Sequence, residues 1–106
     1  MDATSTLIQL DTPVTEQEMR ESRSFFFAQV GKVESAGAEQ LRAYYDHLVE
    51  LGEREQRAYE DAVRFRPSYA PAGKPTRTEI GAKAVMDQGR KWRRFVAETH
   101  NRKVTR

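Results

Sequence analysis

The chain contains no cysteine. Disulfide frameworks and thiolate metal sites are therefore excluded, and the composition fits a reducing compartment. It also lacks any apolar run near the ~18 residues that cross a bilayer. The opening Met1-Asp2-Ala3-Thr4-Ser5 has neither the basic start nor the apolar stretch of a signal peptide. A soluble, cytoplasmic protein is the expectation.

Catalytic residue types are scarce as well. There are two histidines. His47 falls mid-helix beside Asp46, but neighbours on a helix point in different directions, so the Asp cannot orient the ring. The HExxH spacing is absent, and a Glu-x-x-His pair would need Glu where Tyr44 stands. His100 falls near a helix end, where a cation favours the dipole. Ser22 and Ser24 have no His or Lys at helical spacing to activate them. Neither GxGxxG nor GxxxxGK(S/T) occurs, so no phosphate-cradling loop is expected. The reading is a protein that is not an enzyme, with no cofactor and no metal.

What is present is charge, unevenly placed, and enough apolar surface for one core. The 106 residues are 38% hydrophobic and 32% charged, with five Phe, four Tyr and one Trp. That length fits one domain. Residues 1–65 carry 7 Lys or Arg against 13 Asp or Glu, a balance of −6, whereas residues 66–106 carry 11 against 3, a balance of +8. Either a basic helix packs beside acidic ones, or a basic face awaits nucleic acid or an acidic protein.

The spacing of apolar residues predicts an all-α fold: a helical hairpin plus a third helix, resembling a three-helix bundle, with a short extended N-terminal tail. Residues 1–12 form the arm. Thr4 to Leu10 is rich in Thr and apolar residues; it either lies on the helices with Leu7, Ile8 or Leu10 tucked into a groove, or adds to a neighbouring chain. Residues 13–65 are expected to form an antiparallel hairpin, its first helix over about 13–34. Thr12 and Pro13 offer one start, and Thr15 with Glu18 offers a competing capping box. Met19, Phe26, Val30 and Val33 line one face of that helix. The second helix, over about 37–65, carries Leu41, Tyr44, Leu48, Leu51, Ala58, Ala62 and Phe65, with Glu55 as a charge on the seam. Glu50–Arg54, Glu53–Arg57 and Glu60–Arg64 are i,i+4 pairs that would support it. Residues 66–75 hold three of the four prolines and read as a semi-rigid, extended linker. Residues 76–106 hold the basic C-terminal helix, opened by a Thr76/Glu79 capping box. Its expected buried stripe is Ile80, Ala84, Val85, Gln88, Trp92, Phe95, Val96 and Thr99, fraying after about residue 100.

Two features point to binding. Phe25-Phe26-Phe27 spreads three aromatic rings over about 200° of a helix, which one interface cannot cover. Phe26 and Phe27 are expected in the core; Phe25 is either half-covered or a partner anchor. Arg90, Lys91, Arg93 and Arg94 form the densest basic cluster, either paired within the chain or aimed at a partner, while Trp92 turns inward. The opening Leu10-Asp11-Thr12-Pro13-Val14 resembles that of phage tail assembly proteins over five residues, too few to carry any site over. The first functional reading is a helical interaction protein that binds and modulates or inhibits a larger protein assembly, as a small phage-type or accessory subunit. Its partner-binding residues are Phe25, Arg90, Lys91, Arg93 and Arg94. The second is a nucleic-acid-associated protein using the basic helix. The third is a self-assembling structural subunit, a homo-oligomer and in the first instance a dimer, that exchanges its last helix or its arm across the proline hinge. No membrane partner is expected.

Overall fold

The computed structural model describes residues 6–105, so residues 1–5 of the expected arm and Arg106 lie outside it. Among the described residues there are four α-helices and no strand: α1 Glu16–Phe25, α2 Phe27–Ser35, α3 Ala38–Arg64 and α4 Arg77–Val104. No helix is long and apolar enough to cross a membrane. The all-α expectation holds, but three helices become four, because the helix expected over 13–34 breaks at Phe26.

The three phenylalanines cause that break. Phe26 leaves helical geometry, with φ −110° and ψ 26°. Its N–H still donates to the Ser22 carbonyl at 2.9 Å, and its own carbonyl accepts from Gln29 at 2.8 Å, so both backbone groups are satisfied. The bend lays the Phe26 ring against Trp92, with centroids 4.6 Å apart. Phe25 and Phe27 then face outward, 62% and 78% exposed. Phe27 is therefore not a core residue. The start of α1 also differs from Pro13. Thr15 is the N-cap, accepting from the Glu18 N–H at 3.1 Å. Thr12 and Pro13 stay outside the helix, where their carbonyls accept from Arg94 at 2.9 and 2.8 Å.

α3 and α4 form the main antiparallel pair. Tyr44 meets Trp92, Glu55 meets Arg93, and Arg66, just past α3, meets Glu79. The expected partner of α3 was the preceding helix; α4 takes that place because the linker turns back. Ala70 N–H donates to Pro67 and Lys74 N–H to Pro71, two consecutive turns in place of an extended spacer. Gly73 supplies a left-handed residue, φ 79°. At the far end of the linker Thr76 and Glu79 cap α4 as expected, at 3.2 and 3.4 Å.

The seam between α3 and α4 follows the 3,4 repeat of a coiled coil. From residue 53 to residue 66, the only residues not exposed are Glu55, Tyr59, Ala62 and Arg66. Opposite them run Glu79, Ala82, Met86, Gly89, Arg93, Val96 and His100, all shielded. Two glycines make room for the charge in this seam. A Cβ on Gly52 would stand 2.6 Å from an Arg93 guanidinium nitrogen, and one on Gly89 would stand 3.0 Å from a Glu55 carboxylate oxygen. In that space Arg93 and Glu55 approach to 3.8 Å.

The core lies at one end of the hairpin. Val30 and Val33 of α2 pack with Leu41, Leu48, Trp92, Phe95 and Val96. The N-terminal third wraps the C-terminal half of α4. Ile8 is buried, its N–H donating to Asn101 Oδ1 at 2.8 Å while Asn101 Nδ2 donates back to the Ile8 carbonyl at 3.1 Å. α1 lies close enough for Ser22, fully buried, to donate to the Lys91 carbonyl at 3.0 Å. Lys103 donates to the carbonyls of Glu34 and Ala36 at the end of α2. The molecule is elongated, 55 × 28 × 24 Å, because none of the described residues covers the other half of the hairpin.

Candidate partner-binding surface

The basic cluster faces acidic residues of its own chain. Arg94 forms an ion pair with Glu18 and donates further to Thr12 Oγ1 at 3.0 Å, so its guanidinium joins the arm, α1 and α4. Lys91 meets Glu21 at 2.6 Å. The Lys91 ammonium, hydrogen-bonded to Glu21, holds that carboxyl below the usual carboxylate range, helped by Gln17. Arg93 is spent on Glu55 across the seam. Arg90 is exposed and enters no ion pair among the described residues. The charge asymmetry of the sequence thus has an internal counterpart: acidic α1 and α3 lie against basic α4.

The i,i+4 pairs expected along α3 are not formed; the one such pair among the described residues is Glu98–Arg102 in α4, at 3.5 Å. His47 is exposed. His100 does not lie at a fraying helix end: α4 continues to Val104, and His100 is fully buried, with Nδ1 3.2 Å from Asn101 Oδ1. Among the described residues no three His, Asp or Glu side chains converge as a metal site.

The apolar stripe expected along α4 is divided in two. Trp92, Phe95, Val96 and Thr99 are buried, the first three in the core with Val30 and Val33 of α2 and Leu41 and Leu48 of α3. Ile80 and Val85 are 55% and 54% exposed, and Ala84 is exposed beside them. The uncovered half leads to Phe25. That ring, with Gln17, Arg20, Glu21 and Ser24 of α1 and Gln88 and Lys91 of α4, lines an open depression of about 640 Å³. Phe25 contacts Phe26 edge-on at 4.7 Å, so its position is fixed by the core while its outer face stays in water.

Sequence reasoning brought Phe25 to this surface but placed Ile80, Ala84 and Val85 in the core. The missing signal was length: α1 and α2 together are too short to cover a helix of 28 residues. No protein-family model matches the chain, and neither a curated protein nor a solved structure is significantly similar to it.

Proposed function

We propose that the protein is a helical docking subunit that binds and modulates a larger protein partner through α4 and Phe25. The observation that carries this reading is the divided stripe. One half of a continuous apolar face is buried by the chain's own helices, while Ile80, Ala84 and Val85 are left in water with Phe25 at their head. A partner helix with apolar residues at i, i+3, i+4 and i+7 would extend the packing that α1 and α2 begin. Phe25 is the anchor, an aromatic ring already held on one side.

The docking face sets the apolar side chains of Ile80, Ala84, Val85 and Phe25 beside charges at Arg20, Glu21 and Lys91, so apolar area supplies the contact and a charged rim borders it. Nucleic acid is the weaker alternative, because Lys91, Arg93 and Arg94 are each engaged within the chain. A photo-crosslinking residue at Phe25 and another at Val85, introduced in the native host, should trap the same polypeptide. The Ile80→Glu/Val85→Glu variant should lose it while keeping its helical circular dichroism. Undiminished capture by that folded variant would overturn the reading.

A further inference from the structure

A second seam runs along the outer side of α3, separate from the α4 face and independent of the function proposed for it. Leu51, Arg54, Ala58, Asp61 and Phe65 recur at spacings of 3, 4, 3 and 4, the same repeat that the α3–α4 seam uses. Arg54, Ala58, Asp61 and Phe65 are exposed, Phe65 by 73%, and Leu51 is half-buried, one side packed against the chain's own core and the other open. Arg54 and Asp61 form no ion pair among the described residues. They stand about 10 Å apart along the helix, at about 1.5 Å per residue, too far to pair with each other.

The order of these residues is self-complementary. Reading outward from Ala58, one direction gives Arg and then Leu, and the other gives Asp and then Phe. A two-fold axis beside Ala58 would bring two such helices together antiparallel. Arg54 of each copy then falls beside Asp61 of the other, and Leu51 of each falls against Phe65 of the other. Ala58, the smallest of the five, meets itself at the point of closest approach. Beside Phe65 a groove of about 800 Å³, lined by Ala58, Asp61, Ala62, the turned linker at Pro67 and the first turn of α4 at Thr76 and Arg77, faces the incoming helix.

We propose that the protein self-associates through this stripe, as an isologous dimer in which α3 packs antiparallel on α3 of a second copy. The charge pattern selects a second copy over an unrelated helix, because the two unpaired charges are opposite in sign and symmetric about a small residue. The distal α3–α4 seam is itself poor in apolar residues, so a partner along its flank supplies burial that the hairpin lacks.

Sedimentation equilibrium on the full chain tests this. The wild-type protein should show a monomer–dimer equilibrium at micromolar concentration. Arg54→Asp and Asp61→Arg each set like charges against each other across the axis, and each should raise the dissociation constant by at least about tenfold. Because the pairing is reciprocal, an equimolar mixture of the two single variants should recover a heterodimer, and the double variant Arg54→Asp/Asp61→Arg should recover the homodimer. Both positions are exposed, so circular dichroism should show unchanged helix. A wild-type chain that stays at 12.2 kDa over this range would overturn the proposal, and so would a dimer that neither single variant weakens. Loss of the crosslinked partner at Val85 would leave it untouched, since that face lies on α4.

Discussion

The Trp92 indole N–H donates to the Tyr44 hydroxyl at 2.8 Å, and its ring contacts both Phe26 and Phe95, with centroids 4.6 and 5.1 Å away. One side chain of α4 therefore joins α3 to the break between α1 and α2. Tyr44→Phe leaves the contact area almost unchanged but removes the acceptor, and a buried donor without a partner costs about 1–3 kcal/mol. Trp92 is the sole tryptophan, so urea unfolding followed by its fluorescence reads that loss directly. A shift below half a kilocalorie would mean that water replaces the hydroxyl. The arginines give a sharper contrast within one cluster. Arg90→Glu should change stability by no more than about 0.5 kcal/mol, as for other surface substitutions. Arg94→Glu places a carboxylate against Glu18 and withdraws the donor from Thr12 and Pro13, and should cost about 3 kcal/mol. Equal effects of the two substitutions would show that the cluster acts as a diffuse charge.

At the scale of elements, the break at Phe26 decides how the N-terminal third lies. Phe26→Ala should cost about 3 kcal/mol, the low end for a phenylalanine that is not fully buried. Phe27→Ala and Phe25→Ala should each stay within about 0.5 kcal/mol. If Phe27→Ala were as costly as Phe26→Ala, the helix would run straight through, as the sequence alone suggested. Several local decisions were legible beforehand. Thr76 and Glu79 cap α4 because a capping box needs only four adjacent residues, and of Leu7, Ile8 and Leu10, the three candidates for a tucked arm, Ile8 is the one buried. The pairing of α3 with α4 was not legible. Both α2 and α4 offer apolar faces, and the choice rests on two linker turns and on Gly52 and Gly89, which open space for Arg93. Glu55 stood out in the sequence as a charge on the seam, yet only the facing helix shows that Arg93 meets it. On the candidate surface Phe25 was legible because three adjacent rings cannot share one face. Ile80 and Val85 were not, because a helical stripe marks what can be buried and does not say how far the covering helices reach.

Across the whole molecule, stability is graded from one end to the other. The covered end holds Trp92, Phe95, Val96 and Ala97, each at most 3% exposed. The bare end joins α3 to α4 through Glu55, Tyr59, Ala62 and Arg66 against Glu79, Ala82, Met86 and Gly89, with little apolar area to bury. Local opening follows such differences. Amide exchange in the monomer should therefore be slowest around residues 92–100 and faster in residues 79–88, although both lie in one continuous helix. Uniform protection along α4 would contradict this. The wrapping also sets an order in time. Ile8 is held by Asn101, 93 positions later, and Thr12 by Arg94, 82 positions later. On a ribosome, residues 6–35 emerge before residues 92–101 and find no surface to fold against, because their support has yet to be synthesised. They remain open to proteases and chaperones until residues 92–101 leave the exit tunnel. The arrival of that stretch of α4 lets residues 6–35 close, so this part of the chain folds only after the segment that supports it has been made.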